Sequence, residues 1–482
     1  MRKIILTLSF AATALLVNAQ KTGDKLSILK EAAARDIDLK YEVYKNTALR
    51  IWNYAEVGYK EVKSSALHRQ TLQDNGFTVQ AGVADIPTAF VASYGSGQPV
   101  IAILAEFDAL PGLSQEASPE KKSMTGKDAG HGCGHHLFGT ASVAAGIAVK
   151  KLMEEKKLSG TIRVYGCPAE EGGSGKVFMV RAGLFNDVDA VIHWHPDSEN
   201  EITMTSALAN KSAKFRFHGI AAHAAASPEK GRSALDAVEA MNNMVNMMRE
   251  HIPQETRIHY VITNGGRAPN VVPDFAEVYY YVRHPNKEVV KEIFDRIVKA
   301  ASGAAMGTET TVDYGIIGGT HDLLLNRTLG EVMQSNLEKV GGVTYTPDET
   351  AFGKKIQATF NFKAPAIENA AIIKPLKKVS DAGGGSTDVG DVSYTVPTVG
   401  LSAATWIPGT PAHSWQAVAC GGTEIGTKGM MVAAKTMALT AIDLYTDATL
   451  ILKAKAEFKT AKGDYIYKPL LGDIKPALNY RD

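Results

Sequence analysis

The run His131-Gly132-Cys133-Gly134-His135-His136 packs three imidazoles and a thiol into one short segment. Thiolate and imidazole are preferred ligands of zinc and similar ions, and the glycines let the backbone fold them around one point. Cys133 and His135 are two residues apart, so an extended loop would aim both inward. Further on, Pro168-Ala169-Glu170-Glu171-Gly172-Gly173 places two carboxylates ahead of a glycine turn. Such a pair suits one metal ligand and one general base. An isolated Glu-Glu is more often a solvated acidic turn, so its value here depends on where the chain places it.

Three more positions complete the inventory. Asp108 follows an apolar run, His195 closes another with His193 on the same face, and His413 lies in the loop Pro411-Ala412-His413-Ser414. Together Cys133, His135, Glu171, His195 and His413 would serve two divalent metal ions and leave Glu170 free. In that arrangement a water held by the metals loses a proton to Glu170 and attacks an amide carbonyl. Glu170 then passes the proton to the leaving nitrogen.

These residues need elements that bring them to one place. Pro99–Phe107, Thr161–Cys167 and Asp189–His195 read as strands, each ending just before or at a candidate residue. Helical stretches are expected at Leu26–Glu56, Gly139–Lys156 and Glu424–Tyr445. Alternation of this kind predicts an α/β layer structure with a mostly parallel sheet, in which ligands gather at the strand C-termini. Between about Leu208 and Tyr314 the pattern changes. Strands at Lys211–His218, Thr256–Thr263, Phe275–Arg283 and Thr308–Tyr314 alternate with helices at Ser233–His251 and Lys287–Ser302. The order β-α-β-β-α-β is that of a ferredoxin-like insert. The expected division is a signal peptide over 1–19, a catalytic domain over 20–207 and 319–482, and an inserted domain over 208–318. The stretch Glu349–Ser380 has no clear pattern.

Composition narrows the class. The 482 residues are 45% hydrophobic and 21% charged, with 52 Lys+Arg against 51 Asp+Glu and a net charge of +1. Near-neutrality argues against nucleic acid as a partner, and no long apolar run predicts a membrane span. Arg2 and Lys3, the apolar run Ile4–Val17 and the small residues before Gln20 read as an export signal, which predicts a periplasmic or secreted protein. Three cysteines are too few for a disulfide scaffold, and Cys167 reads as packing. Cys420 has no evident role.

Taken together, the motifs resemble those of metallopeptidase family 20, in its amidohydrolase branch. The resemblance spans nearly the whole chain after residue 19. It rests on Glu106–Gly112, the HGCGH cluster, Tyr165–Cys167 leading into Glu170–Lys176, Trp194-His195-Pro196, Gly219–Ala237, Pro269–Pro273, Ser386–Asp391 and Gly409–Gln416. It implies a zinc-peptidase-like three-layer catalytic domain and two Mn²⁺ or Zn²⁺ ions on Cys133, His135, Glu171, His195 and His413. Glu170 is then the base, with Asp108 also in the catalytic set. The insert becomes a lid and dimerisation domain for a homodimer or heteromer, whose His223 reaches a neighbouring subunit's site to stabilise the oxyanion. Asn270 and Arg283 are expected to contact the substrate's carbonyl and carboxylate. The implied reaction is hydrolysis of an N-acyl amino acid, with p-aminobenzoyl-glutamate as first candidate. A dipeptidase or carboxypeptidase, or a non-catalytic partner subunit, are the alternatives. His136 stands where the branch usually has Asp, and Glu106 where many relatives outside the branch have a ligand His. The loop Gly383–Asp391 lacks P-loop spacing and reads as an active-site loop in which Asp388 orients a ligand.

Overall fold

The computed structural model describes residues 25–381 and 383–481. The export signal expected over residues 1–19 lies outside the described residues. Strands β1 (Thr78–Ala81), β2 (Phe90–Ser96), β3 (Val100–Glu106), β4 (Gly160–Cys167), β5 (Ala190–Asp197), β6 (Glu201–Ile202) and β11 (Thr398–Ala404) form one sheet. Its order is β1-β2-β4-β3-β5-β11-β6. The central strands β4-β3-β5-β11 are parallel, as the βα alternation requires. The flanks are antiparallel: β1 on β2, β2 on β4, and β6 on β11. The sequence reading did not contain these flanking strands, because β1 is mostly exposed and β6 spans two residues.

Every residue of β3 is buried, so the sheet is covered on both faces. Helices His135–Lys156 and Glu424–Thr446 pack side by side against it. Both are rich in Ala and Gly, which permits close approach. A Cβ on Gly146 would lie 2.5 Å from Val164 Cγ2. The first of these helices starts at His135 rather than Gly139, so the ligand cluster runs directly into its first turn. The expected helix Leu26–Glu56 is two helices, 25–39 and Tyr41–Tyr54, meeting at a turn at Lys40. Glu349–Ser380 contains the end of a helix, Pro347–Gln357, that starts with a Thr346/Glu349 capping box, followed by a short turn at Ile367–Ala371.

The insert has its own core. Strands β7 (Ala209–His218), β8 (Arg257–Asn264), β9 (Phe275–His284) and β10 (Thr311–Thr320) form a second sheet in the order β10-β7-β9-β8. With helices Ala234–Met248 and Lys287–Gly307 between them, this is the ferredoxin-like arrangement. Alternation along β9 sends Val278, Tyr280 and Val282 under the helices, against Val238, Met241, Ile293 and Phe294. Tyr279, Tyr281 and Arg283 take the opposite face. Among the described residues no helix is long and apolar enough to cross a membrane.

Candidate active site

The candidate residues converge where the parallel strands end. Asp108 lies just past β3, Glu170 and Glu171 just past β4, and His195 within the last turns of β5. The HGCGH loop reaches the same point because Gly134 adopts φ +74°, and a Cβ there would sit 2.6 Å from Pro196 Cβ. The His413 loop is tied to it by a hydrogen bond from His413 N–H to the Gly132 carbonyl (2.9 Å).

Ligating atoms of Cys133, His135 and His195 lie within 4.8 Å of one another, as do those of Cys133, Glu171 and His413. The trios share Cys133. Cys133 Sγ is 3.3 Å from His195 Nε2, and His413 Nε2 is 3.2 Å from Glu171 Oε1. The outer nitrogens of both buried imidazoles are already engaged. His135 Nδ1–H donates to Asp108 Oδ1 (2.8 Å), and His195 Nδ1–H donates to the Pro196 carbonyl (2.7 Å). Each ring therefore turns the lone pair of Nε2 inward, the tautomer a metal needs. Apart from the 3.2 Å contacts His135 Nε2–Glu106 Oε2 and His413 Nε2–Glu171 Oε1, these buried atoms have no hydrogen-bond partner. Carboxylates and imidazoles so crowded beside a thiol fit a pair of divalent cations. Burial pushes His195 down to about 4, keeping it neutral.

Asp108 has neither oxygen free for substrate. Its second oxygen accepts the Glu171 backbone N–H (2.9 Å), so it positions two candidate ligands at once. Glu170 opens onto the cavity. Removal from water, reinforced by Glu106, Glu171 and Asp388, raises its carboxyl well above the usual range, the direction a proton acceptor requires. The loop carrying it is strained, with positive φ at Ala169, Gly172 and Ser174. Supports from elsewhere hold it: Glu61 accepts the Ala169 N–H (2.9 Å), and Tyr59 Oη donates to the Gly173 carbonyl (2.6 Å).

A fully buried Lys176 lies near Glu170. Its Nζ meets Glu106 Oε1 and Asp388 Oδ1 at 2.6 Å each, and its N–H donates to Asp388 Oδ2 (2.8 Å). Asp388 thus anchors the Gly383–Asp391 loop to the base helix turn, and it orients Lys176 rather than a ligand. Sequence reasoning missed Lys176, Glu61 and Tyr59, each of which acts on a partner remote in the chain. The second oxygen of Glu106 faces His135 Nε2 at 3.2 Å.

His136 turns away from the cluster. Its Nε2–H donates to the Gly421 carbonyl (3.0 Å), tying the helix that follows His413 to the one that starts at His135. His193 lies against Gly400 of β11 and joins neither trio. Cys167 and Cys420 are buried free thiols.

All this faces a cavity of about 730 Å³ between the two sheets, and Arg283 lines it from β9. In register, Arg283 pairs with Asn210 of β7, which pairs in turn with Thr320 of β10. His223 and Asn270 do not line this cavity. They sit together on the exposed side of the insert, where His223 Nδ1 accepts the N–H groups of Ala225 (3.2 Å) and Ala226 (3.1 Å). That leaves Nε2 as an outward donor.

Fold and site together define a metal-dependent amidohydrolase with a separate lid domain, and the chain belongs to metallopeptidase family 20, in its amidohydrolase branch. It is 43% identical over 467 residues to the B subunit of p-aminobenzoyl-glutamate hydrolase from Escherichia coli K12, covering 92% of this chain and 97% of that one. It is 29% identical over 453 residues to the Xaa-Arg dipeptidase of Mus musculus (90% and 93% coverage). Residues 209–309 match the family model described as peptidase dimerisation domain. Among solved structures, the fold resembles an aminobenzoyl-glutamate utilization protein from Klebsiella pneumoniae (TM-score 0.60, 18% identity, 85% of this chain and 97% of that one). It also resembles a dinuclear metal-binding peptidase from Bacillus subtilis (TM-score 0.54, 17% identity, 84% and 99%).

Proposed function

We propose that this enzyme cleaves the amide bond of an N-acyl amino acid, with p-aminobenzoyl-glutamate the first substrate to test. The observation that carries the reading is a carboxylate, Glu170, that lines the cavity beside two ligand trios sharing Cys133 and itself lies within 4.8 Å of His135 and Glu106. Cys133, His135, Glu171, His195 and His413 would hold two divalent cations, Mn²⁺ or Zn²⁺. Such cations polarise the scissile carbonyl and lower the pKa of water. Glu170 accepts a proton from the attacking water and returns it to the leaving nitrogen. Asp108 keeps His135 in its working tautomer, and Lys176 neutralises Glu106 and Asp388 so that the charge near Glu170 stays tolerable. Arg283 receives the substrate carboxylate in its planar fork. His223, with Nε2–H turned outward, and Asn270 would act on the site of a second protomer, which makes a dimer through the insert part of the reading. The partner is a second copy of this chain or a related polypeptide. The Arg2–Ala19 segment supports export, which cell fractionation with an N-terminal sequence of the mature protein would test.

The likeness to an Xaa-Arg dipeptidase offers a second reading, in which Arg283 would receive the same α-carboxylate. The deciding experiment measures bound metal and turnover of p-aminobenzoyl-glutamate and a dipeptide panel, with Glu170→Gln as control. Two metals per chain, and activity lost in the variant with metal retained, are expected. Full activity in Glu170→Gln would sink the mechanism, and an inert wild type would favour a non-catalytic partner role.

A further inference from the structure

The last described residues return to the catalytic cavity. Arg481 lines it, and with Tyr480 also lines a neighbouring cleft of about 650 Å³, so the two side chains form the partition between these spaces. The Arg481 guanidinium donates through Nη2 to the Glu171 carbonyl and stacks on Tyr480, 4.7 Å from the ring centroid. Tyr480 Oη donates to the same carbonyl (3.0 Å). Arg481 Nε is buried with no hydrogen-bond partner.

Arg283, which lines the same cavity from β9, is in the same condition. It stacks on Tyr281 at 5.3 Å, its Nε is buried and unpartnered, and it has no carboxylate. Among the described residues neither arginine forms an ion pair, whereas the buried Lys176 has two carboxylate partners. A buried, unpartnered Nε–H on a guanidinium without a counter-charge is costly, and a carboxylate or similar anion is the partner that would satisfy it. Two such groups, one on the lid and one on the C-terminal segment bound to the Glu171 carbonyl, match a ligand with two carboxylates.

We propose that Arg481 is a specificity-determining residue that receives the side-chain carboxylate of an acidic N-acyl amino acid, while Arg283 receives the α-carboxylate. The inference rests on the amidohydrolase reading above. A dicarboxylate bound in this way links the lid to the loop that carries Glu170 and Glu171, so the acidic side chain also helps hold the two domains together over the reacting bond. A neutral side chain engages only one of the two arginines.

The test compares p-aminobenzoyl-L-glutamate with p-aminobenzoyl-L-glutamine, which differ only in that carboxylate, on the metal-loaded full chain. The wild type is expected to favour the glutamate conjugate in kcat/KM by about tenfold or more, the usual effect of a charged hydrogen bond. Arg481→Gln is expected to bring the ratio close to one, whatever loss both substrates share, and Arg481→Lys to restore part of it. A ratio unchanged in Arg481→Gln would overturn the proposal, because support of the Glu171 carbonyl alone lowers both substrates equally. If the wild type turns over neither conjugate, the amidohydrolase reading fails separately. Calorimetric binding of L-glutamate against L-glutamine then decides the role of Arg481. A preference lost in Arg481→Gln supports the assignment, and no preference in the wild type overturns it.

Discussion

Asp108 shows how much one buried side chain can govern. With one oxygen on His135 Nδ1 and the other on the Glu171 N–H, it orients two candidate ligands without touching substrate. Asp108→Ala is therefore expected to weaken metal binding by about 10–100-fold, the usual effect of removing a residue that orients a ligand, measured by competition with a chelator. Lys176 makes the complementary point. Lys176→Met leaves Glu106 and Asp388 buried together without a cation and is expected to cost about 3–5 kcal/mol in denaturant unfolding. At this scale the sequence disclosed residues of unusual chemistry, such as Cys133, His135 and the Glu170–Glu171 pair. It could not disclose Lys176, Glu61 or Arg481. A lone Lys, Glu or Arg is common on any surface, and its meaning here comes from partners far away in the chain.

Between elements, the site depends on turns that few residues can make. Gly134 combines φ +74° with contact against Pro196, and it sets the direction in which His135 enters the helix. Gly134→Ala is expected to destabilise the protein by about 1–3 kcal/mol and to lower bound metal, read by thermal unfolding and elemental analysis. The lid sheet has a different exposure. Its edge strand β8 carries Tyr260, Val261 and Ile262 into solvent, an edge that invites pairing with another chain. Val261→Asp with Ile262→Pro is expected to shift self-association toward monomer in sedimentation, and an unchanged dimer would move the interface elsewhere. The strands β3, β4 and β5 were legible because parallel strands buried on both faces are continuous apolar runs. The edges β1 and β6 were not, since short edge strands have no such pattern, and β2 and the buried β11 also lay outside the sequence reading.

Over the whole molecule, the buried histidines shape stability against pH. His68 lies between Phe107 and Gly139 with both ring nitrogens unpartnered, and burial pushes it down to about 3. The unfolded chain takes up a proton near pH 6.5 that the native ring refuses. Stability from this group is present above about pH 6.5 and is lost as pH falls toward 3. His68→Leu is expected to flatten the decline of unfolding free energy across that window, and an equally steep decline would assign the slope to other groups. His131 and His193, also pushed down to about 3, add to the same slope.

The sequence by itself determined the class of chemistry, the alternation of helix and strand, and the ferredoxin-like insert, because ligand types, apolar periodicity and local order are written within short windows. The tertiary structure alone decided that strand ends from four separate segments meet at one point. It also decided that Lys176 lies between two acids distant in the chain and that Arg481 returns to line the same cavity as Arg283. These are contacts between residues tens to hundreds of positions apart, and they exist only once the core has closed and excluded water from between them.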